Sequence, residues 1–459
     1  MPSFVPVDTS KKIQGVKLPA LPKIEKPTNL KELFVHPWKS NIFQKNNYFK
    51  KVQDARVKNI KLPAPGEGLP RVLHYCADQG GCAFWRLIFP GNELLANNKA
   101  VVQTMYQMLP DPRTYHGISS VRLQRQCSPI QRDFIKHLRT VSDEFKRQGQ
   151  PGFRIIFEVD DVLNIDDIAP FNLCRTAFID PEIIKTVKEI MTYCDELVVP
   201  SEYMKQHYKK LLNFDKISVI PNYVPRYWFD KGNTVESSVE NYRKNRVKPR
   251  ILYAGSSTHF DVANLNGQVD DFHHVNDVII NDLEVDKKYQ WIFVGGIPQK
   301  LRKYVDNGQI EYHHWTSMTE YPRLLASTNA NVMIAPLMDN AFNRAKANIK
   351  LTEAAALCIP TVAQNLDCYN SDGWKYLFNT GSEMMDQIGK IVESEDSYKN
   401  AVENAHQYVD RYWLGDHLEE WINIYTTDYG DAKRKELKDF LERNKEQFKY
   451  ENETRISSQ

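Results

Sequence analysis

The sequence has no Cys-x-x-Cys pair, and its seven cysteines, Cys76, Cys82, Cys127, Cys174, Cys194, Cys358 and Cys368, are odd in number and scattered. That argues against a disulfide framework or a zinc site and fits reduced thiols in a cytoplasm. No apolar run approaches the roughly 18 residues of a membrane span. The stretch from Met1 to Pro22 lacks the apolar core of a signal peptide, so no export is expected. Excess charge is missing too: the net is +2 over 459 residues, so the whole molecule is not a polycation. The pairs His273-His274 and His313-His314 carry no metal-ligand spacing, because neighbouring side chains on a strand point to opposite faces.

What is present is a globular composition, 42% hydrophobic and 26% charged, on a chain long enough for two domains. Residues 1–69 are rich in Lys, Pro and Asn and read as an extended arm with one short helix near Leu30–Phe34. Positive charge gathers locally. Residues 1–68 hold 13 Lys/Arg against 5 Asp/Glu, residues 113–147 hold 8 against 3, and residues 200–250 hold 11 against 5. Such stretches suit a polyanionic partner, or a solubilising tail and a solvated helix face.

From Arg71 onward short apolar runs alternate with helical patterns. Val72–Tyr75, Phe153–Val159, Glu196–Val199 and Ile217–Ile220 read as strands. Ile130–Gln148, Pro181–Tyr193 and Ser201–Leu212 read as helices, and Phe84–Leu87 could open another. Polar residues 230–249 read as a linker. The pattern then restarts, with strands at Arg250–Ala254, Trp291–Val294, Ile310–His313, Asn331–Pro336 and Thr361–Ala363, and a helix at Asn348–Leu357. From Ser382 the chain reads as mainly helical. The expected architecture is α/β: two Rossmann-like parallel-sheet domains facing across a cleft. The first spans residues 70–245 and the second 246–395, with C-terminal helices over 396–459 packing back on the first.

In open α/β sheets, ligands gather at the carboxyl ends of strands. The segment Asp339–Glu353 follows one strand and enters a helix, whose N-terminus favours a diphosphate. Lys346, Lys350 and Glu353 are spaced for one helix face if the helix starts early enough, so two cations and a carboxylate point to phosphate and hydroxyl binding. A salt-bridged surface helix is the plainer alternative. Asp160 and Asp161 end a strand, and their carboxylates suit acceptor deprotonation, acceptor binding or a metal, with a turn role for one of them. Asp78 is a further base candidate. His259 suits a diphosphate or sugar contact, or a turn. His314–Thr316 suits a nucleobase, although Trp315 also fits ordinary core.

The order Asn343-Arg344-Ala345-Lys346-Ala347-Asn348-Ile349-Lys350-Leu351-Thr352-Glu353-Ala354, followed by Leu357-Cys358-Ile359-Pro360-Thr361-Val362-Ala363, resembles the donor motif of GT-4-like glycosyltransferases of the GT-B fold. The Gly255-Ser256-Ser257-Thr258-His259 loop with Asp261, and the Gly295-Gly296 loop, are similar to that group's nucleotide-binding loops. His74–Asp78, Gly80–Arg86 and Phe157–Asp161 resemble glycosyltransferases of T4-like tailed bacteriophages. The resemblance implies a UDP-sugar donor held by Gly80, Gly81, Arg86, Gly255, Ser256, His259, Gly295, His314, Asn343, Lys346, Asn348, Lys350 and Glu353. It implies retention of anomeric configuration, no required cofactor and no metal. It also implies an acceptor such as 5-hydroxymethylcytosine in double-stranded DNA, in the host cytoplasm of a phage-encoded enzyme. Other acceptors, a saccharide or a protein, and a non-catalytic binding protein on this fold stay open. Two departures stand out. The family's first Glu is Ala345 here, and the usual Gly after the helix is Cys358.

Overall fold

The computed structural model describes residues 69–426, apart from residues 79, 98, 151, 166, 173, 230–232 and 262–268. The basic arm, with its Leu30–Phe34 helix, and the charged stretch from Asp431 lie outside the described residues.

The apolar runs become two parallel sheets. β1 (Arg71–Tyr75), β2 (Val101–Met105), β3 (Ser120–Gln124), β4 (Arg154–Glu158), β5 (Glu196–Val199) and β6 (Ile217–Val219) lie in the order β2-β1-β3-β4-β5-β6. β7 (Arg250–Gly255), β8 (Gln290–Gly295), β9 (Ile310–His313), β10 (Val332–Ala335), β11 (Thr361–Gln364) and β12 (Leu377–Phe378) lie in the order β12-β11-β10-β7-β8-β9. Helices cover both faces, so Ile155–Phe157, Ile251–Ala254 and Val332–Ala335 are buried throughout. That is why these strands read as unbroken apolar runs. β2, β3 and the two-residue β12 escaped the sequence reading. β3 carries Ser120, Arg122 and Gln124, all fully buried, and a polar strand gives no apolar signal.

Each sheet reverses its strand order once, between β1 and β3 in the first and between β7 and β10 in the second. Connections leave a reversal toward opposite faces, and a crevice opens at the carboxyl ends there. The fold therefore has two places prepared for ligands before any side chain is considered.

Local signals set the helix ends. Ser128 and Gln131 form a reciprocal capping box at the start of Pro129–Arg147, Asp180 caps Pro181–Met191, and Ser201 caps Glu202–Leu212. The helical run after β1 begins at Gly81, three residues earlier than the expected Phe84. The segment read as a linker contains the helix Val235–Asn245, started by Thr234 and Ser237. Val239 and Tyr242 are buried, and the Tyr242 ring stacks on Tyr398 of the second half at 4.4 Å. Val235, Val239 and Tyr242 had the helical spacing, but the many polar residues between them hid it.

After the helix Ile349–Ala356 the chain turns through Cys358 at φ +55, a left-handed position that glycine favours. The strain, roughly 1 kcal/mol, is offset by burying the thiol in the second core. The C-terminal chain then returns to the first half. Val224 N donates to Tyr412 O at 2.7 Å and Leu414 N to Val224 O at 2.9 Å. The last described helix, Leu418–Thr426, lays Trp421 4.1 Å from the Arg122 guanidinium and brings the Tyr425 hydroxyl within 2.8 Å of His74 Nε2.

Candidate functional site

The second sheet's crevice lies between the loop after β7 and the segment after β10. β7 ends in Gly255, where an added Cβ would stand 3.1 Å from Lys350 Nζ. The missing side chain makes room first for the Tyr253 hydroxyl and then for the lysine above that ring. Gly295, at the end of β8, has φ +89, and a Cβ there would meet Gly255 O at 2.5 Å. Ser256 and Thr258 exchange a hydroxyl hydrogen bond of 2.6 Å beside them. No side chain caps the helix Ile349–Ala356, so its end presents backbone donors and a positive dipole.

Lys346 and Lys350 make no ion pair with a described residue. They rest over the rings of Phe342 and Tyr253, at 5.1 and 5.4 Å. Burial, with Lys346 nearby, pulls Lys350 down to about 8. Burial pushes Glu353 up to about 7, against the pull of Lys350 and of Tyr321, whose hydroxyl donates to Glu353 Oε2 at 3.0 Å. Two unneutralised cations at an unshielded helix start can hold a diphosphate, and a carboxylate one turn on can accept from hydroxyls.

The raised Glu353 has a consequence for stability. Folding favours its neutral form, so its contribution is present below the ordinary 4.5 and is lost as pH rises through about 7. Glu353→Gln should therefore gain stability relative to wild type between pH 5 and pH 8, read from urea midpoints. A constant difference across that range contradicts the assignment.

The first sheet's crevice holds the carboxylates. Asp78 follows β1, Asp160 and Asp161 follow β4, and Arg125 follows β3 between them. The Arg125 guanidinium bonds to Asp78 and lies 3.1 Å from both Asp160 and Asp161. Arg125 reaches them from a left-handed backbone, φ +46, fixed by its N–H donating to Glu158 O at 2.9 Å. Burial, reinforced by Asp160, raises the Asp161 pKa, while Arg125 and Lys346 of the second half pull it down. Lys346 of the second half is thus among the charges that act on Asp161. Cys82, Asp160 and Asp161 also place ligand atoms within 4.8 Å of one another. The guanidinium already supplies the positive charge at that point.

The halves meet at this site. Asp167 Oδ2 accepts from Ala341 N at 2.7 Å, and the Phe342 ring packs 5.1 Å from Phe178. Phe342 and Ala345 belong to the first half's apolar core cluster. Ala345, where the resemblance led one to expect Glu, is therefore part of a contact between the halves. A crevice beside it is lined by Phe171, Asn172, Thr258, Asp271, Asn343 and Lys346.

The structure brings Asp78, Asp160 and Asp161 together on one side. On the other it brings Gly255, Ser256, His259, Gly295, Lys346, Lys350 and Glu353. Gly80 and Gly81 start the helical run after β1 at the first crevice. His314 and Trp315 are exposed after β9, with Trp315 beside Gly295. Three expectations need correction. Arg86 is fully buried and cannot reach a donor, because Glu158, Ile220 O and Asn222 hold its guanidinium. The Asn348 amide donates to Asp372 and Tyr408, and the Asn343 amide to Asp271 and Met338 O, so their donor groups hold the site's frame. The sequence reading missed Arg125 and Asp271, which carry no motif.

No protein-family model matches the chain, and no curated protein matches it in sequence. Solved structures do match in fold. Anabaena HepE in complex with UDP-glucose aligns at TM-score 0.52 and 10% identity, over 78% of this chain and 99% of that one. An alpha-glucosyltransferase in complex with UDP-glucose and DNA containing an abasic site aligns at TM-score 0.51 and 9% identity, also over 78% and 99%. With its two six-stranded parallel sheets, the chain has the GT-B fold. No described helix is long and apolar enough to cross a membrane.

Proposed function

We propose that this chain is a glycosyltransferase that moves a sugar from a UDP-sugar, with glucose as the first candidate, to 5-hydroxymethylcytosine in duplex DNA. The observation that carries the transferase reading is that Lys346 and Lys350, ion-paired to no described residue, follow a segment that packs against the half holding the Asp161 cluster. The cations and the helix start take the diphosphate, and Glu353 accepts from ribose or sugar hydroxyls. An acceptor hydroxyl oxygen bonds to the anomeric carbon and gives its proton to Asp161. The electron pair of the broken bond stays on the diphosphate, whose growing charge the lysines stabilise. Retention of configuration, which the motif resemblance implies, requires the acceptor oxygen to enter on the face of the anomeric carbon that the diphosphate leaves.

The DNA acceptor is supported by the basic arm and by the fold shared with a solved enzyme bound to DNA. One observation favours a second reading, a saccharide or protein acceptor. In the basic segment 113–147, Arg113, Arg122, Arg125, Arg132, Arg139 and Arg147 all sit in ion pairs. Paired cations hold DNA less well than free ones.

Radiolabelled transfer from a panel of UDP-sugars to hydroxymethylated duplex, with unmodified duplex beside it, decides between them. Label on the modified DNA alone, with duplex affinity falling steeply as salt rises, is the expected result. Label on a glycan or protein instead moves the acceptor to the second reading. UDP-sugar binding without transfer to any acceptor overturns the enzyme.

A further inference from the structure

His259 is 7% exposed, at the end of the turn Ser257–His259 between the Gly255 loop and the lysines. Its Nδ1 lies 2.7 Å from Asp271 Oδ2. Asp271 is 2% exposed, and its other oxygen accepts from Met338 N and from Asn343 Nδ2, each at 2.8 Å. Against the penalty of burial, the His259 hydrogen bond and Lys346 keep Asp271 below its ordinary range, so it is ionised. An ionised carboxylate only accepts, which puts the ring proton on Nδ1. Nε2 is then left with its lone pair, and it has no hydrogen-bond partner among the described residues.

The charged groups around the ring are Asp271 on one side and Lys350 and Lys346 on the other. Burial, then the two lysines, pull His259 down to about 4, so the ring is neutral in the empty site. A diphosphate seated between the lysines reverses that balance. It brings two negative charges, and a bare lone pair on Nε2 would repel its oxygens.

We propose that His259 takes up a proton when the donor diphosphate binds and donates Nε2–H to a phosphate oxygen, with Asp271 as the positioning residue that anchors Nδ1–H. This rests on the donor-site reading above. When the anomeric bond breaks, its electron pair stays on the diphosphate that the imidazolium faces. The acceptor's proton goes to Asp161, so His259 keeps its own proton and serves as an electrostatic catalyst. Asp271 also ties the loop after β7 to the segment after β10, so the ring is held before the donor arrives.

Calorimetry of the full chain with UDP-glucose at pH 7, in two buffers of different ionisation heat, counts the protons. UDP-glucose suits the test because its diphosphate has no group that titrates near neutrality. Glu353 and Lys350, near 7 and 8 in the same site, add their own share of uptake, so the expected result is a wild-type uptake that exceeds that of His259→Gln by close to one proton per donor bound. His259→Gln should still bind, about tenfold more weakly. Asp271→Asn should show reduced uptake at pH 7 that recovers at pH 6, a shift that mere loss of structure would not produce. Wild type binding without proton uptake overturns the inference, as does full uptake by His259→Gln. Absence of UDP-glucose binding to wild type overturns the donor-site reading itself.

Discussion

Lys350→Ala is expected to lower kcat for sugar transfer by about 10²–10³-fold, the usual loss when one preorganised group is removed from a developing charge. Lys350 has the position for it. It closes on Gly255, rests 5.4 Å from the Tyr253 ring, and is ion-paired to no described residue. Burying an ammonium there beside Lys346 costs the fold stability, only partly offset by Glu353 and Asp271, as its fall to about 8 shows. The substitution should therefore leave stability unchanged or slightly raised while activity collapses. Steady-state kinetics beside a urea melt checks both halves. A kcat within threefold of wild type would remove Lys350 from the machinery. Loss of folding would make it structural.

The second large effect is on stability and needs no assumption about the reaction. Glu158→Gln is expected to destabilise the protein by roughly 3–5 kcal/mol, the usual result of breaking a buried ion pair from one side. Glu158 lies at 0% exposure between two buried guanidiniums, Arg86 on Oε1 and Arg122 on Oε2. A glutamine would leave both cations without a counter-charge. Arg122 also donates to the Tyr425 hydroxyl and lies against Trp421. Loosening it should free the helix Leu418–Thr426 from the first half. Chemical denaturation reads the loss, and hydrogen exchange should rise first in residues 418–426. A loss below about 1 kcal/mol, in the range of an exposed pair, would show that the neighbouring hydrogen bonds suffice without the carboxylate.

Much of the fold was legible in the sequence because a parallel sheet covered on both faces leaves a physical trace. The strand Glu196–Val199 is a fully buried run that occupies the residues read from sequence, and the edge strand Ile310–His313 also does so although Glu311 and His313 are polar. The helix read over Asn348–Leu357 runs over Ile349–Ala356, and Cys358, marked only because the resemblance expects glycine there, falls on a left-handed position. Lys350 and Glu353 could be grouped because one helix face carries them, whereas Lys346 lies in the turn before that helix and joins them only in the folded chain. The tertiary structure decided what depends on distant neighbours. Arg86 looked like a phosphate ligand until Glu158, 72 residues away, took its guanidinium. Arg125 acquired its place only when strand order set β1, β3 and β4 side by side. Asp271 meets His259, 12 residues away, through a contact that no residue pattern marks, and Ala345 makes sense only as part of the contact between the halves. Periodicity and capping are short-range and survive in the sequence. Electrostatic partners are chosen by packing, and packing exists only in the folded chain.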